Sequence, residues 1–385
     1  MSIPRQPAET PAVVGSLFRP PHCPNRNCRF YSRNPDWTWR KTGSFRRIAS
    51  PRRFQCFQCK HCRRYFSVRT FAADYWMKER RIFPHLAAWS TEGPGLRQIA
   101  RRFHVSHTTV MRHLARAGRY ALVFHRQLTA NRKLTEPLAV DGFETFEHSQ
   151  FFPFHLNLAG GVKSWFLYGF TDSPLRRKGR MTPAQRRRRA ALEEQYGRPD
   201  PKAVERGIRA LLHQVTGNGS GNLPADPVEI HTDDHPSYRP ALAGYRRESG
   251  RPVRHEVTPG TAPRTTWNPL FAVNLADLLL RHSEAAHRRE TIAFSKRRQG
   301  TIERAAVFLY WRNYVKRRRE KGDRVTAGQV AGFTHRPMEW GDLFRRRRFP
   351  RRRVLGEVWW EYYWRRVKTA VLGTAQTEHR LKFAF

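Results

Sequence analysis

All five cysteines of this 385-residue chain lie between positions 23 and 62, with a spacing that suits a metal ion. Cys23 and Cys28 are separated by four residues, and Cys59 and Cys62 by two. Two such pairs, set about thirty residues apart, supply the four thiolates of a tetrahedral zinc site. Cys56 is spaced equally well from Cys59, but we favour Cys59 and Cys62 because aromatic residues follow Cys62 and can pack there. The odd, clustered set in a chain that opens without a secretory signal predicts a Zn²⁺ ribbon rather than disulfides.

Two aspartates occur in apolar runs where an unpaired charge would be costly. Asp141 lies inside LAVDGF at 138–143, and Asp233 ends VEIHTD at 228–233. If these runs are neighbouring strands of one sheet, the two carboxylates emerge side by side. Carboxylate oxygens are the ligands that hard divalent cations prefer, and a pair of such cations can act on a phosphodiester. The sequence therefore predicts a catalytic Mg²⁺ or Mn²⁺ site at Asp141 and Asp233.

Residues 95–117, GLRQIARRFHVSHTTVMRHLARA, have the pattern of a helix-turn-helix. Apolar residues recur at helical spacing on both sides of a turn at Val105. Ser106 can cap the second helix through its hydroxyl. The predicted outer face of that helix carries the candidate DNA contacts Ser106, His107, Thr108, Thr109 and Arg112.

The charge of the chain points to the same class of partner. The formal net charge is +42, and aromatic residues make up 12% of a chain that can still bury a core. Nucleic acid is the partner with enough negative charge density to neutralise such a surface. No apolar run approaches the ~20 residues of a membrane span, so we expect no membrane partner and a cytoplasmic, nucleoid-associated protein.

Composition and periodicity divide the chain into segments and predict a multidomain α/β protein. The predicted order is a flexible arm (1–21), the zinc ribbon (22–68), the helix-turn-helix (69–118), a linker (119–136), an α/β domain (137–316) with a charged insertion (174–227), and a basic, aromatic, helical C-terminal region (317–385). Strand-like runs at 138–143, 151–160, 164–170 and 228–233 supply a mixed sheet flanked by helices. The aromatic stretch EVWWEYYWRR at 357–366 is predicted to be a buried helix rather than a base-stacking surface.

This combination of features resembles insertion-sequence transposases of the DDE class, whose catalytic domain is RNase H-like. The resemblance covers residues 22–316 and is carried by the ribbon, the helix-turn-helix, Asp141, the run HTDDHPSY at 231–238 and the run LLLRHSEAAHRRETIAFSKR at 278–297. It implies metal-dependent strand cleavage and transfer at the terminal repeats of an insertion sequence. It also implies that Arg281 and Lys296 contact the DNA backbone.

The third acid departs from the family pattern. Such families place a Glu seven residues before a Lys or Arg on one helix, but counting back from Arg281 gives Asn274. We favour Asp277, which lies on the same helical face one turn later and four residues before Arg281. Two alternatives stay open: another register that uses Glu284 or Glu290, or loss of the acid.

The function expected from the resemblance is that of a DDE-type DNA transposase. Asp141, Asp233 and Asp277 would hold two catalytic cations, and double-stranded terminal repeats and target DNA would be the partners. Pairing two DNA ends requires at least a homodimer. The alternative is a domesticated, catalytically inactive DNA-binding regulator. The sequence leaves open the repeat sequence, the target preference and the choice between cut-and-paste and replicative movement.

Overall fold

The computed structural model describes residues 13–32, 35–47, 50–130, 132–217, 227–288, 291–352 and 355–375. The chain divides into two compact units. The first comprises Met1–Arg80, Phe344–Arg353 and Leu381–Phe385, and the second comprises Arg81–Leu343 and Val354–Arg380. No helix of the described ranges is both long and apolar enough to cross a membrane.

The first unit is built on a three-stranded antiparallel sheet in the order β1-β2-β3. The strands are β1 (Trp39–Arg47), β2 (Ser50–Cys59) and β3 (Tyr65–Ser67). Short 3-10 helices cover Arg29–Tyr31, Val68–Phe71 and Pro350–Arg352. A unit this small is held together mainly by aromatic side chains packed around the cysteines; these are Phe30, Tyr31, Trp37, Phe57, Phe66, Phe71 and Phe349.

The second unit opens with a 3-10 turn (Arg80–Ile82) and three helices: α1 (Phe83–Ser90), α2 (Leu96–Arg102) and α3 (His107–Thr129). The apolar residues predicted for the helix-turn-helix do form its core, with Leu86 added from α1. The segment 119–136 differs from the expected linker, because α3 continues unbroken to Thr129 and buries residues 119–125. The apolar run YALVF at 120–124 explains the difference, since it favours burial over a solvated linker.

The centre of the second unit is a five-stranded mixed sheet in the order β6-β5-β4-β7-β8. Its strands are β4 (Leu138–Phe146), β5 (Pro153–Gly161), β6 (Leu167–Pro174), β7 (Val228–Thr232) and β8 (Val253–Val257). β4, β5 and β6 are antiparallel, whereas β7 pairs with β4 and β8 in parallel. The first and fourth predicted runs are therefore neighbours. β8, with alternating charged residues, is an additional strand that the sequence did not reveal.

Helices pack on both faces of this sheet. The helices that follow β6 along the chain are α4 (Pro183–Tyr196), α5 (Ala203–Thr216), α6 (Tyr238–Ser249), α7 (Phe271–Ser283), α8 (Arg298–Tyr310), α9 (Ala327–Val330), α10 (Trp340–Phe344) and α11 (Glu357–Trp364); α5 and α7 pack on opposite faces. A 3-10 turn (Ala285–His287) follows α7, a π-helical turn (Trp311–Val315) ends α8, and a 3-10 segment (Ala370–Ala375) follows α11. The segment 174–227 is more than a charged insertion, because its α5 buries Ile208, Leu211 and Leu212 completely.

α3 and α8 cross at very short range, and one glycine makes this possible. A Cβ atom at Gly118 would lie only 2.3 Å from the main-chain oxygen of Glu303 on α8. Further along α3, His125 stacks on Phe166 and its Nε2 lies 2.9 Å from the main-chain oxygen of Tyr168. The helix-turn-helix and the sheet are thus joined through one continuous helix.

The aromatic stretch near the C-terminus is buried as predicted. Trp359 of α11 is fully buried, and its Nε1 donates a hydrogen bond of 2.9 Å to the main-chain oxygen of Phe170 on β6. The Tyr362 hydroxyl donates to Asp172 Oδ1 at 2.5 Å and accepts from the Asp172 main-chain N–H at 2.7 Å. α11 therefore closes one side of the sheet.

Candidate functional site

The first candidate site is the cysteine set, Cys23, Cys28, Cys59 and Cys62, in the first unit. The four sulfur atoms all lie within 4.8 Å of one another. Cys59 ends β2, and a turn in which Arg63 has a φ of 59° leads to β3. Three of the four cysteines are buried and Cys62 is half-buried.

Sulfur, aromatic and main-chain groups surround this set. The Sγ atoms of Cys23 and Cys62 are 3.6 Å apart, and Trp37 Nε1 donates a hydrogen bond of 3.2 Å to Cys59 Sγ. Burial raises the pKa of the thiols of Cys23 and Cys28. Burial acts in the same direction on Cys62, but hydrogen bonds from main-chain and side-chain groups outweigh it and lower its pKa to about 7.

Four thiols this close together can bind zinc and fit a zinc ribbon. Cys56 lies outside the set. Its half-buried thiol is directed to the main-chain oxygen of Phe54 at 3.9 Å. Of the two pairings that the spacing allowed, the structure therefore clusters Cys59 with Cys62.

The second candidate site is the aspartate set, Asp141, Asp233 and Asp277, in the second unit. Asp141 lies on β4, and Asp233 immediately follows β7, the parallel neighbour of β4. The Tyr238 hydroxyl, at the start of α6, donates a hydrogen bond of 3.2 Å to Asp141 Oδ1. The Gly142 main-chain N–H donates to the same oxygen at 2.7 Å, and Asp233 Oδ1 accepts from the His235 N–H at 3.0 Å.

Asp277 lies on α7, which packs on the sheet face that carries Asp141. One contact fixes the alignment: the Arg281 guanidinium carbon lies 4.6 Å from the ring centroid of Phe143. Phe143 is two residues from Asp141 and shares its face of β4, and Arg281 is one helical turn from Asp277. α7 therefore brings Asp277 towards Asp141. Asp277 Oδ1 is buried and has no hydrogen-bond partner among the residues that the structure describes.

The electrostatics of the aspartate set reflect this proximity. Burial raises the pKa of Asp141, and the negative charge of Asp233 raises it further, against hydrogen bonding by Gly142. Burial and then the charge of Asp141 raise the pKa of Asp277 well above its usual value, while Arg281 and Arg264 oppose the rise. The three carboxylates thus repel one another in a partly desolvated site.

The candidate ligand atoms of the aspartate set are less tightly gathered than those of the cysteine set. Among the described residues, only the cysteines bring three or more candidate ligand atoms within 4.8 Å of one another. The chemistry and arrangement of the aspartates still suit divalent cations. Carboxylates are hard oxygen ligands, and ligands that share two cations ~3.5–4 Å apart need not touch one another.

The alternative third acids have different surroundings. Glu284 is almost fully buried, and its Oε2 lies 3.2 Å from Arg304 Nε. Burial raises its pKa to about 7 although Arg304 opposes the rise. Because Glu284 is buried and paired with Arg304, it is not available as an accessible metal ligand. Glu290 lies outside the described residues.

The predicted DNA contacts are distributed over two surfaces of the second unit. Ser106 caps α3 by accepting a hydrogen bond of 3.2 Å from the Thr109 N–H, and its hydroxyl lies 3.0 Å from Thr109 Oγ1. His107, Thr108 and Arg112 are exposed. With α2, Ser106 and His107 border an open concavity of about 740 Å³, which is also lined by Arg97, Arg101 and His104.

The two basic residues implied by the resemblance differ in exposure. Arg281 is half-buried over Phe143, and its Nη1 donates to the main-chain oxygen of His287 at 3.4 Å. Lys296 is exposed, and its Nζ lies 4.0 Å from the ring centroid of Phe294. Sequence reasoning did not assign a role to Tyr238 or to Arg264. The five-residue spacing of Tyr238 from Asp233 was the available signal for the first.

Comparisons with known proteins add little to this geometry. No family model matches the chain, and no curated protein matches it. Among solved structures, the chain is similar to one from the cryo-EM structure of a simian T-cell lymphotropic virus intasome in complex with the PP2A regulatory subunit B56 gamma. The sequence identity is 12% and the TM-score 0.26, over 66% of this chain and 73% of that chain.

Proposed function

We propose that this protein is a DNA transposase of the DDE class that binds the ends of an insertion sequence and catalyses metal-dependent strand cleavage and transfer. The observation that carries the proposal is the convergence of Asp141, Asp233 and Asp277 from two neighbouring central strands and the helix that covers them. The mixed sheet flanked by helices is consistent with the RNase H-like domain that the sequence resemblance implies.

The three aspartates would hold the divalent cations. When bound, two Mg²⁺ or Mn²⁺ ions activate the attacking hydroxyl and stabilise charge on the leaving oxygen of a phosphodiester. Asp277 Oδ1, to which no group in the described part of the chain donates a hydrogen bond, offers a lone pair to a cation. Tyr238 orients Asp141 through its hydrogen bond, and Gly142 holds the same carboxylate from the main chain.

The rest of the chain supplies DNA binding. The helix-turn-helix presents His107, Thr108 and Arg112 on the surface that a recognition helix uses in the major groove. The zinc ribbon adds a second small module, and the net charge of +42 suits long contact with phosphates. Two DNA ends would be joined by at least two copies of the chain.

A catalytically inactive DNA-binding regulator is the second candidate, and Asn274 is the observation that favours it. The family pattern places an acid at this position of α7. If Asp277 does not replace that acid, the charge, the ribbon and the helix-turn-helix would still support DNA binding without cleavage.

Cleavage assays on duplexes that contain the DNA flanking this coding sequence test the proposal. We expect cleavage and strand transfer with Mg²⁺ or Mn²⁺, and a loss of at least ~10²-fold for Asp141→Asn, Asp233→Asn and Asp277→Asn, since each removes charge that binds the cations. Fluorescence anisotropy should show unchanged DNA affinity. Asp323→Asn, an exposed aspartate that changes charge equally, is the matched control.

The outcomes separate the alternatives. Normal cleavage by Asp277→Asn would move the third ligand elsewhere. Binding without cleavage by the wild type under both metals would favour the regulator, and absence of binding would overturn the DNA-handling role.

A further inference from the structure

The π-helical turn at Trp311–Val315, which ends α8, buries an arginine. A hydrogen bond of 2.8 Å from the Lys316 N–H to the main-chain oxygen of Trp311 closes this turn. Arg312 is 1% exposed, and neither Nη1 nor Nη2 of its guanidinium has a hydrogen-bond partner in the described ranges. Burying a guanidinium without a counter-charge is costly, so this environment favours an anion beside Arg312.

Arg312 keeps its charge at neutral pH. Burial, and then the charge of Arg318, lower the pKa of Arg312 to about 10, while the charge of Glu320 opposes the fall. Glu320 does not serve as the counter-ion, because its carboxylate pairs with Lys316 and 78% of its side chain is exposed. Among the described residues, Arg312 therefore has no carboxylate as an ion-pair partner.

The hairpin at 316–326 follows the π-helical turn directly and carries further arginines. A bridge between Arg317 and Thr326 closes the base of the hairpin, together with a hydrogen bond of 2.8 Å from the Arg318 N–H to the main-chain oxygen of Val325. The tip of the hairpin is exposed, whereas Arg318 at its base is half-buried. The base of the hairpin is thus accessible from solvent in part.

This hairpin is anchored on the turn between β5 and β6. Arg318 Nη1 donates a hydrogen bond of 3.0 Å to the main-chain oxygen of Lys163. The guanidinium carbons of Arg318 and Arg319 lie 4.7 Å and 5.0 Å from the ring centroid of Trp165. Burial and then the charge of Arg319 lower the pKa of Arg318. Two like charges therefore lie against one indole, and neither forms an ion pair in the described part of the chain.

The π-helical turn is anchored at the same place. The Asn313 Oδ1 accepts a hydrogen bond from the Leu167 N–H, and Asn313 Nδ2 donates one to the main-chain oxygen of Leu167, each at 2.8 Å. Leu167 is two residues from Trp165, on which Arg318 lies. The β5–β6 turn therefore brings the segments of Arg312 and Arg318 together.

We propose that Arg312 and Arg318 bind a phosphate group, either free or carried by DNA, at the base of the hairpin. A guanidinium presents two parallel N–H groups that match the oxygens of such an anion. The donors without a protein partner in the described ranges are Nη1 and Nη2 of Arg312 and Nε of Arg318. The inference is independent of the proposed function, because it involves neither the aspartate set nor the recognition helix.

Calorimetric titration and melting curves of the full, zinc-loaded chain test the inference. Sodium phosphate is compared with sodium chloride at equal ionic strength and neutral pH. We expect phosphate to raise the melting temperature of the wild type by about 2 °C or more. Arg312→Met, which keeps the length of the side chain but removes the charge, should weaken phosphate binding at least ~10-fold and lose this shift.

Two further variants make the test specific. Arg318→Gln should also weaken phosphate binding, because it removes the second guanidinium. Arg324→Met, at an exposed arginine of the same hairpin, is the matched control and should bind phosphate as the wild type does. In chloride alone, Arg312→Met should melt no lower than the wild type, since it removes a buried charge that lacks a partner.

A duplex-DNA arm identifies the source of the phosphate group. Saturable binding of inorganic phosphate that depends on Arg312 would assign the site to the free ion. Without such binding, a DNA affinity that falls several-fold in Arg312→Met but not in Arg324→Met would assign it to a DNA phosphate.

Three results would overturn the inference. The first is a wild type that binds no inorganic phosphate and has the DNA affinity of Arg312→Met. The second is an equal phosphate shift in all the variants, which would reduce the effect to that of a general salt. The third is an Arg312→Met chain that fails to fold while the wild type shows no saturable phosphate binding, which would make Arg312 structural. Cleavage at the aspartate set is a separate measurement, so the proposed function can stand or fall without this site.

Discussion

The cysteine set and the aspartate set are both candidate metal centres, but they are built in opposite ways. The four sulfurs lie within 4.8 Å of one another and are surrounded by aromatic side chains. The three carboxylates do not gather within that distance, and the charge of Asp233 raises the pKa of Asp141, as the charge of Asp141 raises the pKa of Asp277. Neutral thiols can gather before a cation arrives, whereas carboxylates close together repel. The cysteine set therefore suits a structural metal ion, and the aspartate set suits the cations of the proposed reaction.

The largest effect is expected from Cys59→Ser. Loss of this thiolate should abolish stoichiometric zinc binding and unfold the first unit, because structural zinc contributes on the order of 10 kcal/mol to small domains. Zinc content by mass spectrometry and limited proteolysis of the full chain would measure both effects. Retention of one zinc ion per chain by this variant would contradict the contrast with the aspartate set.

A smaller effect of opposite sign, an increase in stability, is expected from Asp277→Asn in the absence of divalent cations. The folded state raises the pKa of Asp277, so its stabilising contribution is present below the ordinary carboxyl pKa and is lost as pH rises through the raised value. Ionising the aspartate as pH rises therefore costs stability that an uncharged side chain keeps, and at pH 8 asparagine should raise the melting temperature by about 2 °C or more.

The same experiment at pH 4 and with Mg²⁺ sharpens the comparison. The stabilisation by Asp277→Asn should shrink at pH 4, where the wild-type carboxyl is protonated. Mg²⁺ should raise the melting temperature of the wild type more than that of the variant. Scanning calorimetry measures all three conditions, and a destabilised variant at pH 8 would show that the aspartate is structurally required.

The smallest effect is expected from Cys56→Ser, the control for the cysteine set. Its half-buried thiol lies outside the four-sulfur group, so the free energy of unfolding should change by no more than about 0.5 kcal/mol. Zinc content should stay at the wild-type value. A loss of zinc in this variant would show that Cys56 is a ligand in place of one of the other four cysteines.

The sequence predicted the strands that carry Asp141 and Asp233 because apolar runs of strand length are a local signal. That the two strands are neighbours was only a condition of the predicted site, and the pairing of β4 with β7 meets this condition. Spacing alone could not exclude Cys56, since only the folded β2–β3 turn brings Cys62 to Cys23.

The missed elements depend on packing between distant segments. α5 carries a clear apolar face, but the charged residues around it obscured the pattern. Asp172 is an example of such packing, because its Oδ1 accepts a hydrogen bond of 2.5 Å from the Tyr362 hydroxyl and its Oδ2 lies 3.2 Å from Arg298 Nε. Tyr238 and Arg264 reach the aspartates through tertiary contacts that no single local pattern encodes.

The unbroken α3 gives the second unit a fixed internal length. Its 23 residues span about 34 Å at 1.5 Å per residue, close to one turn of B-DNA. In the proposed function, one end of this rod reads sequence and the other is fixed against the sheet that carries the aspartates. The number of base pairs between the recognised sequence and the cut phosphodiester would then be set by the length of this helix.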